Sequence, residues 1–566
     1  MFLIAVSFIY IIFTSVNFGF VYSKFIALKK SDLIVNSILG LFAVTILASI
    51  WAIFGRINYE FHLVLFLLNG LIVYCYTSEI KSNYIQFYSE FKAVNRYLKF
   101  FLIANVVLIL AQAATAPYLL DNETYYIQTV KWLNEYGFVK GLANLHLFLG
   151  QQSGWHITQS VFSFSFLYNE FNDLSAFCLI LGNTFAVLRL HNYFENKNKN
   201  YLIFGLLPIF NILFFQFISA PSPDLPLYIF TFFLFFIFLE NNAKMTVGFF
   251  NLITTLVLYM LFIKNTTVVL ILLPLLILAT NFKVLAPKLG RISSVAILFL
   301  SLFILKNTIV TGTPIFPTSV SYFKTFDYTV PSKIVSVYYE ELKTYGFYLT
   351  SEEYKSMNAM QLFIRWLTMP KLNGIFNKMA LLLLLICPVL IFRFYKKSTY
   401  GFLYLLMLLQ LILLLLTSPQ YRFHLNFVLF FSLACAAIVL NKQNKLVIPI
   451  LFGSAIFSAF ILLVPIDLSL FSKNKFLLNT STFNIENAII PHKKTKLTTA
   501  FETQTVGNLK YNSPISNDFF WASGDGDLPA VNKPQIEYYE YWLKIIPQLR
   551  TDDLKDGFYA KDISEQ

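Results

Sequence analysis

The residues best suited to chemistry stand where the fourth long apolar run of the chain ends. The sequence there reads "LLDNETYYIQTVKW", and its first acids are Asp121 and Glu123. Charged groups close to lipid are costly, so those that occur there tend to serve a function. Either carboxylate is suited to accept a proton as a general base. The alternative for Asp121 is a capping role, in which its side chain accepts a hydrogen bond from a free amide at the start of a helix.

Further charged residues stand at the ends of later apolar runs. Lys264 lies in "FIKNTT", Arg422 in "SPQYRF" and Asp224 in the proline-rich turn "SAPSPDLP". Two cations beside an apolar groove suit a lipid phosphate or pyrophosphate, and arginine offers a planar two-point contact. As alternatives, the cations extend toward lipid headgroups, and Asp224 caps the helix that follows it. Arg56 is near Glu60 in the chain, and we expect these two residues to pair.

The segment after Asp121 also carries aromatic side chains at helical spacing. The spacing predicts an amphipathic helix that lies along the membrane surface. The residues that share this spacing are Tyr125, Gln128, Trp132 and Tyr136. Further along, His146, Trp155 and His156 are weaker candidates, because a lone His or Trp at an interface is more often an anchor than a ligand.

The composition places these residues in a membrane protein. Of the 566 residues, 57% are hydrophobic and 13% are charged, whereas about a quarter of an ordinary soluble domain is charged. The net charge of +13 comes from Lys and Arg residues scattered between apolar runs. This distribution excludes the basic stripe of a nucleic-acid-binding protein. All four cysteines lie inside apolar runs, without the spacing of a metal or redox motif.

Fourteen apolar runs approach the roughly 20 residues that a membrane-spanning helix needs. Their limits are 1–22, 33–54, 61–77, 100–119, 174–190, 201–218, 225–239, 247–263, 267–282, 292–308, 379–395, 401–417, 425–440 and 446–465. Because backbone polar groups in lipid must be satisfied within the spanning structure, these runs predict helices and an all-α polytopic fold. The first run lacks a basic start and a small-residue cleavage site, so we expect it to be retained.

Lys and Arg residues are concentrated in alternate connections between these runs, and that set of connections is expected to face the cytoplasm. The other set, which holds Asp121, Asp224, Lys264 and Arg422, is expected to face outward. The chain divides accordingly into a transmembrane module, a first large outer loop, more transmembrane helices, a second large outer loop, the last transmembrane helices and a small outer C-terminal domain. The limits of these parts are 1–119, 120–173, 174–308, 309–378, 379–466 and 467–566.

Short motifs occur in order through the outer segments. They are "DNETYYIQTVKW", with an acid four residues before Tyr125, then "YGFVKGLANLHLFLGQQSGW", "TGTPIFPTS", "SPQYRF", "NDFFWASGDGDLP" and "LKDGF". Together, over residues 120–566, they resemble the glycosyltransferase C superfamily, polytopic enzymes that use polyprenyl-linked sugars, and more narrowly an uncharacterised group of bacterial membrane proteins allied to it. Two features depart from the pattern. Four spans precede the acidic loop where the superfamily usually has one, and Phe148 stands where the narrower group often has a basic residue.

The resemblance implies a glycosyltransferase of the bacterial inner membrane with its active site facing the periplasm. It implies that Asp121 is the catalytic base, by its position four residues before Tyr125, with Glu123 as the competing candidate. Lys264 and Arg422 are then candidates to bind the phosphate of the donor, where negative charge develops as the sugar leaves. The expected partners are a polyprenyl-linked sugar donor, membrane lipids and a glycan, lipid or protein acceptor.

Four more residues are candidates for contact with the sugar or the acceptor: Asp224, Tyr125, Trp155 and His156. By the same resemblance, Asp224 is a candidate ligand of a divalent cation such as Mg²⁺ or Mn²⁺, and the need for a metal is left open. Two other functions remain as alternatives. A polymerase or ligase of lipid-linked glycans would concentrate arginines in its outer loops, and a transporter or flippase of lipid-linked sugars would carry charged or broken helical positions at mid-membrane.

Overall fold

The computed structural model describes residues 1–242, 245–318, 326–395, 398–470, 479–515 and 519–564, and most of them are helical. The α-helices are α1 (Phe2–Phe25), α2 (Leu33–Phe54), α3 (Tyr59–Ala93), α4 (Arg96–Ala113), α5 (Ile127–Glu135), α6 (Gly154–Val161), α7 (Leu174–Asn196), α8 (Lys199–Gly205), α9 (Asn211–Phe214), α10 (Asp224–Asn241), α11 (Val247–Ile263), α12 (Leu272–Thr280), α13 (Phe282–Leu285), α14 (Gly290–Thr311), α15 (Ser332–Tyr345), α16 (Ser351–Ser356), α17 (Ala359–Leu367), α18 (Lys371–Leu390), α19 (Ser398–Leu416), α20 (Leu425–Leu440), α21 (Val447–Leu463) and α22 (Lys533–Tyr538).

The protein is a multi-pass membrane protein. Among the described residues, eleven helices are long and apolar enough to cross a membrane, or twelve if a pair bent by 89° counts as one span. That pair covers the predicted run 267–282, and the predicted runs 247–263 and 425–440 form the shorter helices α11 and α20. At 1.5 Å per residue these two helices extend only about 25 Å, less than the thickness of a bilayer core. Every predicted run is therefore helical, but the predicted count of fourteen full spans is not confirmed.

The helices α1 and α2 pack with their backbones in close contact at two glycines, Gly19 and Gly40. A Cβ atom added to Gly19 would lie 1.7 Å from the backbone oxygen of Asn36, and one added to Gly40 would lie 1.7 Å from that of Ser15. Only glycine permits two backbones to approach so closely. In a membrane, such contacts replace the hydrophobic effect as a driving force for helix association.

Buried amides connect three other helices. Asn211 of α9 donates to Asn105 of α4 over 2.8 Å, and Asn183 of α7 donates to Asn211 over 3.0 Å. All three side chains are buried. A polar group inside apolar surroundings must find a hydrogen-bond partner, so this network fixes how α4, α7 and α9 pack on each other.

The C-terminal residues add strands to this helical frame. The strands are β1 (Phe501–Val506), β2 (Leu509–Pro514), β3 (Ile545–Leu549) and β4 (Phe558–Asp562). They form two antiparallel pairs, β1 with β2 and β3 with β4. The expectation of an all-α fold therefore holds for the membrane-spanning part and not for the C-terminal part, which we call the tail (residues 479–564 as described).

The tail packs on the first large loop, residues 120–173, and forms hydrogen bonds with Gln128 and Glu123. Helix α5 has the predicted helical structure, but its predicted position on the membrane surface is wrong. Trp132 is fully buried, and its ring meets that of Phe558 edge-on at 5.7 Å between centroids. Gln128, one turn before Trp132 on the same side of the helix, donates to the backbone oxygens of Gly524 and Gly526. Seven of the nine residues of the helix are buried, so protein covers most of its surface.

Candidate functional site

Four charged residues that are distant in sequence meet in one place, and we call them the acid–base cluster: Asp121, Asp224, Lys264 and Arg422. The Nη1 atom of Arg422 lies 2.5 Å from Oδ2 of Asp121 and 3.7 Å from Oδ2 of Asp224. The Nζ atom of Lys264 bonds to Oδ1 of Asp224. Two acids and two cations balance each other within the cluster. Each of these residues was predicted as a candidate from the sequence.

The ends of neighbouring helices bring the cluster together. Asp224 is the first residue of α10, and Lys264 directly follows α11. Because α10 and α11 are consecutive antiparallel neighbours, the start of one lies beside the end of the other. A carboxylate at a helix N-terminus and a cation at a C-terminus both interact favourably with the helix dipoles. Arg422 lies in the short 3₁₀ turn Tyr421–Phe423 that precedes α20.

Asp121 stands just before a π-helical turn, Asn122–Tyr126, which leads into α5. The side chain of Asp121 makes no capping hydrogen bond. No side-chain capping hydrogen bond is present at the start of α10 either, where Asp224 lies. Instead, Asp121 accepts hydrogen bonds from Arg422 and, at 3.4 Å, from the hydroxyl of Tyr126. The capping alternative is therefore not observed at either acid. The headgroup alternative for Lys264 and Arg422 is not observed either, since both cations end on carboxylates.

The charges of the cluster determine the proton affinity of Asp121. Burial raises the pKa of this carboxyl, but the charges of Arg422 and Lys264 outweigh burial and bring the pKa below its usual value. Burial lowers the pKa of Lys264, against the opposing charge of Asp224. Asp121 is consequently ionised at neutral pH, which is the state that a proton acceptor requires.

Glu123, the competing candidate base, faces away from the cluster and toward the tail. Its carboxylate accepts hydrogen bonds from Oγ1 of Thr495 over 2.6 Å and from the backbone amide of Lys496 over 2.9 Å. Its backbone oxygen accepts from the amides of Ser523 and Gly524. Burial raises the pKa of Glu123, although these hydrogen bonds oppose the shift. Glu123 therefore attaches the loop to the tail.

Two of the predicted contact residues lie beside the cluster. Tyr125 is buried and stacks on Phe148, with 5.5 Å between ring centroids. The ring of His156 lies 4.6 Å from that of Tyr126, which itself reaches Asp121. Burial lowers the pKa of His156 to about 3, so the imidazole is neutral at ordinary pH.

Two other predicted residues lie elsewhere. Trp155 is fully buried in the core, where its Nε1 atom donates to Oγ of Ser175 over 3.1 Å. His146 approaches the backbone oxygen of Trp521 in the tail, with 3.2 Å between Nε2 and that oxygen. Neither is placed to contact a substrate at the cluster. Arg56 and Glu60 form the expected pair, with 2.8 Å between Nη2 and Oε1.

Sequence reasoning missed two residues near the cluster. Lys306 of α14 is buried, and its ammonium donates to the backbone oxygen of Gln152. A single cation inside the apolar run 292–308 was the signal for it, since charged residues in spans are rare and functional. Tyr338 of α15 packs edge-on against Phe148 at 5.3 Å. It lies in the second large outer loop, where no pattern distinguishes it from its neighbours.

The carboxylates of the cluster do not suit the divalent cation that the sequence left open. In the part of the chain that the structure describes, no three His, Cys, Asp or Glu residues are grouped so that they could hold a metal ion. Asp121 and Asp224 are each occupied by a cationic side chain. A metal would have to displace Arg422 and Lys264, so we derive no step through one.

All four residues of the cluster lie in the part of the chain that matches a family model. The family model of a domain of unknown function, DUF8201, matches residues 1–429. This stretch contains the four spans before the acidic loop and all four residues of the cluster. No curated protein and no solved structure matches the chain. Since the match covers well over half of its length, the chain belongs to the DUF8201 family.

Proposed function

We propose that the protein is a membrane glycosyltransferase, which moves a sugar from a polyprenyl phosphate- or pyrophosphate-linked donor to an acceptor hydroxyl. One observation carries the proposal. An ionised carboxylate, Asp121, lies 2.5 Å from the guanidinium of Arg422, with Lys264 in the same cluster. A base for the acceptor and cations for the leaving phosphate are the two requirements of this reaction.

The reaction assigns one role to each part of the cluster. Asp121 takes the proton of the acceptor hydroxyl while the acceptor oxygen forms a bond to the anomeric carbon. The bond between that carbon and the phosphate oxygen breaks, and the electron pair leaves with the phosphate. Arg422 and Lys264 stabilise the negative charge that develops there. Asp224 holds both cations in position, since it contacts each of them.

Donor binding makes Asp121 a stronger base. In the unliganded protein, the charge of Arg422 lowers the pKa of Asp121 and so weakens it as a proton acceptor. A donor phosphate brings a second anion to Arg422 and Lys264, which offsets their effect on the carboxylate. A nearby negative charge raises the pKa of an acid. Proton transfer is thereby favoured only when the donor is in place.

The bacterial inner membrane and its periplasmic face belong to the same proposal. The concentration of Lys and Arg in the connections at the opposite ends of the helices supports this orientation. Donors of this kind are anchored by an isoprenoid chain, so an active site at the ends of spanning helices gives them access from the lipid. The acceptor is a glycan, lipid or protein hydroxyl, and the product contributes to the cell surface.

Substitution of Asp121 tests the proposal. We expect Asp121→Asn to lower transfer in isolated membranes by about 100-fold or more, the usual contribution of a general base. Glu123→Gln serves as the control, because its carboxylate faces the tail, and it should retain transfer within a few fold. Mass spectrometry of surface glycans from a deletion strain supplies the product to assay. Full activity in Asp121→Asn together with loss in Glu123→Gln would reverse the assignment.

A further inference from the structure

Lys306 is a buried cation that lacks a carboxylate partner. Only 5% of the residue is exposed, and its ammonium lies 5.7 Å and 5.6 Å from the ring centroids of Phe262 and Phe303. Its hydrogen bond goes to the backbone oxygen of Gln152, and no acid among the described residues lies within ion-pair distance. A buried charge without a counter-charge is costly to a folded protein.

Other polar atoms beside Lys306 are also unsatisfied. Within the described part of the chain, the amide nitrogen and oxygen of Gln152 and both ring nitrogens of His156 have no hydrogen-bond partner, although both residues are almost fully buried. The carbonyl oxygen of Pro221 approaches the imidazole without meeting hydrogen-bond geometry. Buried polar atoms are nearly always satisfied in folded proteins, so a cluster of exceptions points to a missing polar ligand.

The residues that carry these atoms are connected to the acid–base cluster through their neighbours. Ser153, which follows Gln152, donates to the backbone oxygen of Ile263 over 2.7 Å, one residue before Lys264. His156 packs on Tyr126, whose hydroxyl reaches Asp121. Lys306 is five residues before the end of α14, which places it about 7.5 Å deeper along the helix axis than that end.

We propose that Lys306, Gln152 and His156 form a subsite for a second anionic group of the substrate, adjacent to the phosphate held by Arg422 and Lys264. The acid–base cluster is already balanced, with two acids and two cations, whereas Lys306 is a basic side chain without an acidic partner among the described residues. Phosphate and carboxylate oxygens accept hydrogen bonds from an ammonium, an amide and an imidazole N–H alike. The identity of this anion rests on the proposed function: it is the second phosphate of a pyrophosphate-linked donor or the carboxylate of an acidic sugar.

Anion binding to the purified full-length protein tests the subsite without reference to activity. The probes are inorganic pyrophosphate, inorganic phosphate, glucuronate and, as the neutral control, glucose, each titrated by calorimetry. Lys306→Met should weaken binding of the preferred anion by about tenfold or more. Lys131→Met is the matched control, because Lys131 already pairs with Asp525 at 2.9 Å, and it should leave binding unchanged.

The four probes separate the two sources of the anion. Tightest binding of pyrophosphate, lost in Lys306→Met, assigns the subsite to the second phosphate of the donor. Tightest binding of glucuronate with the same dependence assigns it to an acidic sugar. Equal anion affinity in the wild type and Lys306→Met, or an equal loss in Lys131→Met, overturns the proposal.

Two further variants give a result even if Lys306→Met does not fold. Gln152→Leu and His156→Phe each remove polar atoms that lack a partner, so the unliganded protein should unfold at the same or a higher temperature. Anion binding should nevertheless weaken in both. A lower unfolding temperature with unchanged binding contradicts the subsite. Lys306-dependent anion binding in a protein without any transfer activity would contradict the proposed function alone.

Discussion

Arg422 controls the proton affinity of Asp121, and this predicts a pH profile. The folded pKa of Asp121 lies below its ordinary value of 3.8. The group therefore adds stability at pH above 3.8, and this stability is lost as the pH falls through the lower folded pKa. For the same reason, the acid limb of kcat/KM in the wild type, which reports the free enzyme, should lie below about pH 4.

Removal of the Arg422 guanidinium should raise the pKa of Asp121, because the charge of Arg422 is what opposes the effect of burial. In Arg422→Gln, burial becomes the dominant influence on Asp121, so the acid limb of kcat/KM should move to higher pH. Arg56→Gln provides the control, since Arg56 pairs with Glu60 away from the cluster. The residual activity of both variants is measured across the acid range. An unshifted acid limb in Arg422→Gln would show that another group limits the reaction.

Glu123 gives the attachment of the tail the opposite pH dependence. Its folded pKa is raised above 4.5, so its contribution to stability is fully present below pH 4.5 and is lost as the pH rises through the folded value. We expect hydrogen exchange at Thr495, Lys496 and Gly524, corrected for the intrinsic rate, to become faster as the pH rises from 4.5 through the folded pKa of Glu123. Glu123→Gln should remove this dependence. Exchange that does not change with pH in the wild type, at any pH above 4.5, would contradict this prediction.

Single charged residues at the ends of apolar runs were sufficient to predict the members of the cluster. Charges are rare there, so Asp121, Asp224, Lys264 and Arg422 stand out from the sequence. Their pairing could not be predicted, because it depends on which helix ends are neighbours. The partner of Glu123 could not be predicted either, because the tail residues that bind its carboxylate lie more than 370 positions later in the chain.

At the scale of elements, periodicity predicted that α5 is a helix but not what covers it. An apolar stripe packs equally well on lipid or on the tail, and a polar face binds equally well to water or to backbone oxygens. The choice is made by residues almost 400 positions later, as in the contact of Gln128 with Gly524 and Gly526. The sequence around α5 alone therefore does not predict these partners.

The contact of α1 with α2 predicts a position-specific effect of small substitutions. A Cβ at Gly19 would lie 1.7 Å from the oxygen of Asn36, so Gly19→Ala must push the two helices apart. We expect a loss of about 1–3 kcal/mol, the usual cost of overpacking, measured as a lower unfolding midpoint in detergent. Gly453→Ala in α21 is the matched control, because no atom lies within 4 Å of its added Cβ.

Helix propensity alone favours alanine over glycine by about 1 kcal/mol, so Gly453→Ala should be neutral or stabilising. The opposite signs expected for these two substitutions separate the packing of α1 on α2 from a general effect of glycine replacement. If Gly19→Ala is as stable as Gly453→Ala, the helices do not pack through this contact in the membrane.

At the scale of the whole molecule, hydrophobicity predicted every apolar helix, and among the described residues eleven or twelve of the fourteen predicted spans are long enough to cross a membrane. Apolar runs of 16 or 17 residues, such as α20 and α11, satisfy a hydrophobicity criterion as well as a spanning helix does. Both helices are largely buried among their neighbours, so their apolar surface is explained by protein contacts. A linear sequence does not distinguish burial in protein from burial in lipid.

The orientation of the whole protein determines whether the proposed reaction is feasible. Helix α4, with 18 residues, separates Asn95 from the loop that contains Asp121. Glu123 in that loop is bound to the tail, where Trp542 is 68% exposed. If α4 crosses the membrane, Asn95 and Trp542 must therefore lie on opposite sides, and Trp542 must lie on the side of Asp121.

Cysteine labelling in intact cells measures this directly. With the exposed Cys75 replaced by serine, an impermeant maleimide should label Trp542→Cys in intact cells and Asn95→Cys only after the membrane that contains the protein is permeabilised. The positive-inside distribution of Lys and Arg is the physical reason for this expectation. The reverse pattern would place Asp121 in the cytoplasm, where the proposed periplasmic transfer cannot occur. Labelling of both positions in intact cells would show that α4 does not span the membrane.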